Sequence, residues 1–298
     1  MTLLERGRLA GAPISWGVCE VPGWGRQLPP DRVLGEMAGL GLRATEQGPV
    51  GYLPADPAAL RARLDEHGLE LVGGFVPLVL HEPELDRAGA EQIAAMLANA
   101  GAEVFVAAAV ADQQWSAPPA TRDWARIAAH LHEVEQLAAG HGLTLALHPH
   151  VGTLIESADD VEQMLQAGDA GWCLDTGHLA IGGVDPAEFV RDHGERIVHV
   201  HLKDVDARVA ERLRARELSL VQATQAGLFK PLGQGDAPIG RVVELLDTSG
   251  YERWLVLEQD TAITGEEPPV GDGPVLDVRR SIEYLQAPAP TRERVAES

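Results

Sequence analysis

Short apolar runs alternate with longer amphipathic stretches from one end of the chain to the other. The runs at 11–15, 44–47, 70–76, 104–110, 144–148, 171–175, 197–203 and 254–258 have the length of strands. The stretches between them have the period of helices. PADPAALRARLDEHG carries Ala59, Leu60 and Leu64 on one side, a proline near its start and Gly68 as a cap. AEQIAAMLANAG and TRDWARIAAHLHEVEQLAAGHG repeat the arrangement, each ending in a glycine just ahead of a strand. Repeated β/α units of this kind wrap around a parallel sheet, and eight of them predict a closed (β/α)8 barrel, the TIM-barrel architecture.

Two places break the rhythm. After His201-Leu202-Lys203-Asp204 the chain makes an excursion at about 205–232, whose two helical patterns, VARVAERLRA and LVQATQAG, predict an inserted helix pair. An insertion at the active end of a barrel often serves as a lid. The end of the chain, 288–298, has little to bury and is expected to be disordered. The expected organisation is one barrel domain over 1–287, since 298 residues leave no room for a second full domain.

Composition narrows the function classes. The chain is 45% hydrophobic and 23% charged, as expected of an ordinary globule. A formal charge of -21 repels nucleic-acid phosphates, and the one basic stretch, Arg208 to Arg216, mixes both signs as a solvated helix face does. The N-terminal stretch does not resemble a secretory signal, and no segment offers the ~20 apolar residues of a spanning helix. Two cysteines, Cys19 and Cys173, suit a reducing compartment and no disulfide framework. The cytoplasm is therefore the expected location, with a small molecule as partner, no nucleic acid, no membrane, and a homo-oligomer left open.

In such a barrel the chemistry gathers at the C-terminal ends of the strands. Here those ends are polar: Glu46 on the second, His148 and His150 on the fifth, Asp175 and His178 on the sixth. The seventh adds His199, His201 and Lys203, which alternation puts on one face, and the eighth adds Glu258 and Asp260. Imidazoles mixed with carboxylates suit a divalent cation such as Mn²⁺, Co²⁺, Zn²⁺ or Mg²⁺. His201 is assigned to the metal and Lys203 to substrate or intermediate charge. His67, His130, His132, His141 and His193 stand in helical or turn contexts and read as surface residues, and Cys173 reads as core. Trp16 and Trp24, in the glycine-rich segment after the first strand, either wall the substrate pocket or pack under a loop, and the pocket is the favoured expectation.

APISWG, TEQGPVGYLP, HPHVGT, LDTGHLAIGG, HVHLKD, AGLFKPLGQGD and GYERWLVLEQD together resemble the xylose-isomerase-like barrel enzymes of sugar metabolism, in particular their inosose dehydratase branch. The resemblance runs from the first strand to the eighth and implies a metal held by His148, Asp175, His201 and Glu258. Many epimerases and isomerases of that superfamily carry a glutamate where this chain has His148, and pair it with the strand-eight glutamate. An imidazole there still ligates but removes one carboxylate base, which favours a lyase. His150 remains an alternative ligand at that strand. A second departure is Cys19-Glu20, where the dehydratases lead one to expect a more polar Asn/Asp-type pair.

The implied activity is dehydration of a keto-cyclitol or keto-sugar through an enediolate. His148, His150 or Glu258 is the base, Lys203 steadies the enediolate, and Glu46 and His178 bind hydroxyls or donate the departing proton. Ketose epimerisation or aldose–ketose isomerisation on the same site is the alternative. A phosphodiesterase conflicts with the charge, and a non-catalytic subunit of a sugar-processing complex is the reading from another class.

Overall fold

The computed structural model describes residues 3–5 and 7–287; the stretch 288–298, expected to be disordered, lies outside the described residues. Its main sheet contains nine strand segments in parallel register. Segments Glu70–Leu71 and Gly73–Leu78 are one strand interrupted at Val72, whose N–H donates to Thr45 O and whose carbonyl accepts from Val104 N. Eight strands therefore remain: β1 (Leu9–Gly11), β2 (Ala44–Thr45), β3 (the interrupted pair), β4 (Val104–Ala109), β5 (Thr144–Leu147), β6 (Trp172–Asp175), β7 (Ile197–Leu202) and β8 (Leu255–Leu257). β1 pairs with both β2 and β8, and β3 joins the two ends of the sheet, so the barrel is closed.

The first strand differs from its expectation. The run at 11–15 is the strand's exit, because Pro13 lacks an N–H for the ladder and Pro13–Trp16 turns into a short 3₁₀ helix. The observed strand begins earlier, at Leu9.

The helices are bounded by the residues that the sequence offers as caps. Asp56 accepts from Ala59 N ahead of α1 (Pro57–Asp65), Asp86 from Gly89 N ahead of α2 (Arg87–Ala100), and Asp123 from Arg126 N ahead of α3 (Trp124–Gly140). Between 205 and 232 the chain forms two short helices, Ala207–Arg214 and Leu220–Gln225, above a two-stranded ribbon of Asp204–Val205 with Phe229–Lys230. Their apolar residues Leu213, Ala223, Leu228 and Phe229 share a buried cluster with Val151 and Ile181. None of the described helices is long and apolar enough to cross a membrane.

Period-two alternation sorts the strands into two faces. Leu145, Leu147, Trp172, Leu174, Leu255 and Leu257 pack outward in the large cluster with the helices, while Ala146, Cys173 and Val256 fill the bore. The next inward residues up the same strands are His148, Asp175 and Glu258. On β7 the register slips, since Trp172 pairs with Ile197 and Cys173 with His199, leaving Val198 extra. From His199 onward the alternation is regular, and Asp175 lies level with His201.

Candidate metal centre and active site

The inward residues converge above the bore. Asp175, His201 and Glu258 bring one ligand atom each within 4.8 Å of the others. Nδ1 of His201 lies 2.6 Å from Glu258 Oε2 and 3.5 Å from Asp175 Oδ2. Neither His201 Nδ1 nor Glu258 Oε2 makes a hydrogen bond of good geometry, although both atoms are buried. His148 reaches this group through Asp175 Oδ2, 3.2 Å from its Nε2. The other Asp175 oxygen accepts from His178 N at the start of the helix Thr176–Gly182, which fixes the carboxylate.

Lys203 stands beside the same carboxylates. Its Nζ is 2.7 Å from Asp260, 3.3 Å from Glu258 and 3.5 Å from Asp175, and 3.2 Å from His178 Nε2. Its stem passes over Gly177, where a Cβ would lie 2.7 Å from Lys203 Cγ, so this close approach needs a glycine. The remaining carboxylate, Glu46, accepts from His199 Nε2 at 2.8 Å and from His201 Nε2 at 2.9 Å, all on one oxygen, Oε1.

The electrostatics follow from four carboxylates gathered around His201 and Lys203, three of them facing the Lys203 ammonium and Glu46 facing His199 and His201. Burial alone would raise Glu258, but His201 and Lys203 hold it down to about 2. Glu46 and Asp175 are also held below the usual carboxylate range against the effect of burial, Glu46 by His201 and His199, Asp175 by Lys203 and His178. Asp260 goes the other way: burial, with Glu258 beside it, pushes it up to about 6 despite Lys203. Burial opposes charge on His201, yet Cys173, Glu258 and Glu46 raise it well above the ordinary histidine range. A surplus of buried negative charge of this kind is what a divalent cation balances. These buried atoms without hydrogen bonds and the mixed nitrogen and oxygen donors fit such an ion held by His148, Asp175, His201 and Glu258.

A cleft of about 300 Å³ opens over the group. Its polar floor contains Glu46, His148, His150, Lys203, Glu258 and Asp260. Its walls are largely apolar, with Trp24, Phe75, Trp115 and Leu220 among them.

Two residues assigned to substrate do not reach this cleft. The Trp16 indole is fully buried and donates from Nε1 to Glu36 Oε2 at 2.8 Å, because the 3₁₀ turn at Pro13 rotates it under the loop; Trp24 lines the cleft instead. His178 is buried behind His150, with ring centroids 3.8 Å apart; its Nδ1 accepts from Val151 N, and its Nε2 lies 3.2 Å from Lys203 Nζ. Phe75 and Trp115 carry no assignment from the sequence. Trp115 sits in the polar stretch QQWSAPP after β4, and an aromatic in such a loop was the available signal. Their rings stack at 5.9 Å with 12° between planes. His67, His130, His132, His141 and His193 all lie away from the cleft.

The family model for the xylose isomerase-like TIM barrel matches residues 34–287. The chain belongs to the xylose isomerase-like TIM barrel family. Within this family it is 31% identical over 295 residues to an inosose dehydratase of Geobacillus kaustophilus, covering 93% of each chain. It is 34% identical over 267 residues to the rhizopine catabolism protein MocC of Rhizobium meliloti, covering 85% of this chain and 81% of that one. Among solved structures, an L-ribulose 3-epimerase superposes with a TM-score of 0.67 at 18% identity over 97% of both chains, a likeness of fold. These similarities identify the chain as an enzyme of the xylose isomerase-like type.

Proposed function

We propose that this family member is a divalent-metal-dependent dehydratase of a keto-cyclitol or related keto-sugar. The observation that carries the reading is His148 at the end of β5. Epimerisation needs acid/base groups on both faces of one carbon, and here the strand-end position on β5 carries no carboxylate but an imidazole whose Nε2 lies 3.2 Å from Asp175 Oδ2. The similarity to inosose dehydratases over nearly the whole chain supports the same reaction class.

A divalent cation held by His148, Asp175, His201 and Glu258 would polarise the substrate carbonyl and favour its enolised form. His150 takes the α-proton: its Nδ1–H donates to Val151 O at 2.7 Å, which leaves the Nε2 lone pair free, and the ring borders the cleft. Burial, with His148 and Lys203 nearby, depresses it to about 3, so it is neutral at physiological pH. The Lys203 ammonium, held by Asp260, places fixed positive charge beside the developing enediolate. The imidazolium that His150 becomes is strongly acidic in this buried setting and returns that proton to the β-hydroxyl, which leaves as water and restores the neutral ring, while Asp260 stays the counter-ion of Lys203. The apolar walls exclude bulk water and pack the carbon face of the ring.

The test is incubation of the Mn²⁺- or Co²⁺-loaded protein with 2-keto-myo-inositol in D₂O. Loss of water with a new enone or dione absorbance is expected. Deuterium incorporation without loss of water would instead establish an epimerase, and unchanged substrate across a panel of inososes and ketoses would overturn the reading.

A further inference from the structure

The two nitrogens of His201 have different surroundings. Nδ1 faces Glu258 and Asp175, whereas Nε2 points across the bore to Glu46 Oε1 at 2.9 Å. A histidine that ligates through one nitrogen as a lone pair must keep its proton on the other, and the acceptor of that proton sets both tautomer and ring orientation. Glu46 comes from the end of β2 and His201 from β7, 155 residues apart, and the contact is buried on both sides. The same oxygen accepts from His199 Nε2 at 2.8 Å, one inward position below His201. His199 thus braces the carboxylate from beneath, and the position of Oε1 is defined by two N–H donors.

We infer that Glu46 is a positioning residue that keeps the His201 proton on Nε2, and so directs Nδ1 toward the metal position, rather than a ligand for substrate hydroxyls. The inference rests on the metal centre put forward above. Oε1 is occupied by two N–H donors, so only Oε2 is left for any contact from the cleft. A second cation held by Glu46, His199 and His201, whose ligand atoms also lie within 4.8 Å, would strip both ring protons from His201 if Nδ1 serves the first ion. The single-acceptor arrangement needs no such step.

The experiment titrates Mn²⁺ into metal-free full-length protein by calorimetry, for the wild type, Glu46→Gln and Glu46→Ala, and reads steady-state kinetics at saturating Mn²⁺. Glu46→Gln keeps the shape and one acceptor, so it serves as the folding-competent variant, checked by circular dichroism. Metal affinity should fall about 10–100-fold in Glu46→Ala and less in Glu46→Gln, as expected for loss of a ligand's outer partner. Stoichiometry should stay at one, kcat should fall, and the substrate KM at saturating metal should hardly move. In the Zn²⁺-loaded wild type, ¹⁵N spectra should show His201 protonated at Nε2 and metal-shifted at Nδ1.

Unchanged metal affinity with a raised KM would make Glu46 a substrate contact and overturn the inference. A drop from two metal equivalents to one would replace it with a second cation site. Zinc on Nε2 would also overturn it. If the wild type bound no divalent cation, the metal reading would fail with it; wild-type binding that both variants reproduce would remove this inference alone.

Discussion

Lys203 is one of only two lysines in 298 residues, against 22 arginines. Its compact charge fits where a guanidinium fork would meet the Gly177 approach, and it touches three carboxylates while fully buried. Lys203→Met should therefore destabilise the metal-free protein by about 3–5 kcal/mol, the usual consequence of leaving buried charge uncompensated, as read from urea denaturation. The double variant with Asp260→Asn should lose less than the sum of the two single changes. Turnover of Lys203→Met at saturating metal should fall about 10²–10³-fold, as for loss of one preorganised donor; a smaller fall would remove Lys203 from the chemistry. At Asp175 the expectation is simpler. Asp175→Ala removes a proposed metal ligand and the His148 partner together, and should abolish both Mn²⁺ binding in calorimetry and turnover. The strand-end chemistry of these residues is legible in the sequence because alternation says which side chains point inward. That His178 turns its nitrogens to Lys203 and Val151 is not, since the helix Thr176–Gly182 starts directly at Asp175 and carries the ring behind His150.

The segments around the cleft are held by a few polar ties. Asp204 accepts from Val205, Gly233, Gly235 and Ala237 backbone N–H groups at 2.8–3.0 Å, and so anchors the loop after the inserted helices to the end of β7. A Cβ at Gly235 would lie 2.4 Å from the Asp204 carboxylate, so this contact also requires a glycine. Asp204→Ala strands several buried donors and should cost about 3 kcal/mol of unfolding free energy, with Asp204→Asn intermediate, as measured by urea denaturation. Across the mouth, Gln225 Nε2 donates to Gly23 O and Trp24 O, tying the second inserted helix to the loop that carries the cleft-lining Trp24. Gln225→Ala should raise KM a few-fold and leave kcat close to the wild type, a change of about 1 kcal/mol for two partly exposed hydrogen bonds. An equal fall in kcat would show that the tie acts on the reacting groups. Helix positions are readable from sequence because Asp, Pro and Gly mark their ends by local chemistry. The tie between Gln225 and Trp24 joins residues about two hundred positions apart, and nothing local encodes it.

For the molecule as a whole, the buried histidines govern the response to acid. Burial, with His148 and Lys203, lowers His150 to about 3, and burial also lowers His148, His178 and His199. Unfolded imidazoles take up protons near pH 6.5 that these folded ones refuse, so their contribution is fully present above that pH and is lost as pH falls toward the folded values. His201, raised well above the ordinary range, has the opposite sign: its contribution is present below about 6.5 and disappears as pH rises through its folded value. Metal-free protein should consequently lose stability from pH 6.5 downward, with each fully linked proton adding at most about 1.4 kcal/mol per pH unit. His150→Gln should flatten that slope by up to one proton, and an unchanged slope in pH-dependent urea midpoints would contradict the assignment. By itself the alternation of apolar runs and amphipathic helices determined the barrel and the set of inward strand ends, because side-chain direction along a strand repeats every two residues regardless of what lies opposite. Only the tertiary structure decided that Trp24 rather than Trp16 borders the cleft, that Phe75 and Trp115 stack beside His150, and that Glu46 meets His201 across the bore. Those choices depend on closure of the barrel, which brings distant strand ends within hydrogen-bonding distance and gives each buried polar atom its partner.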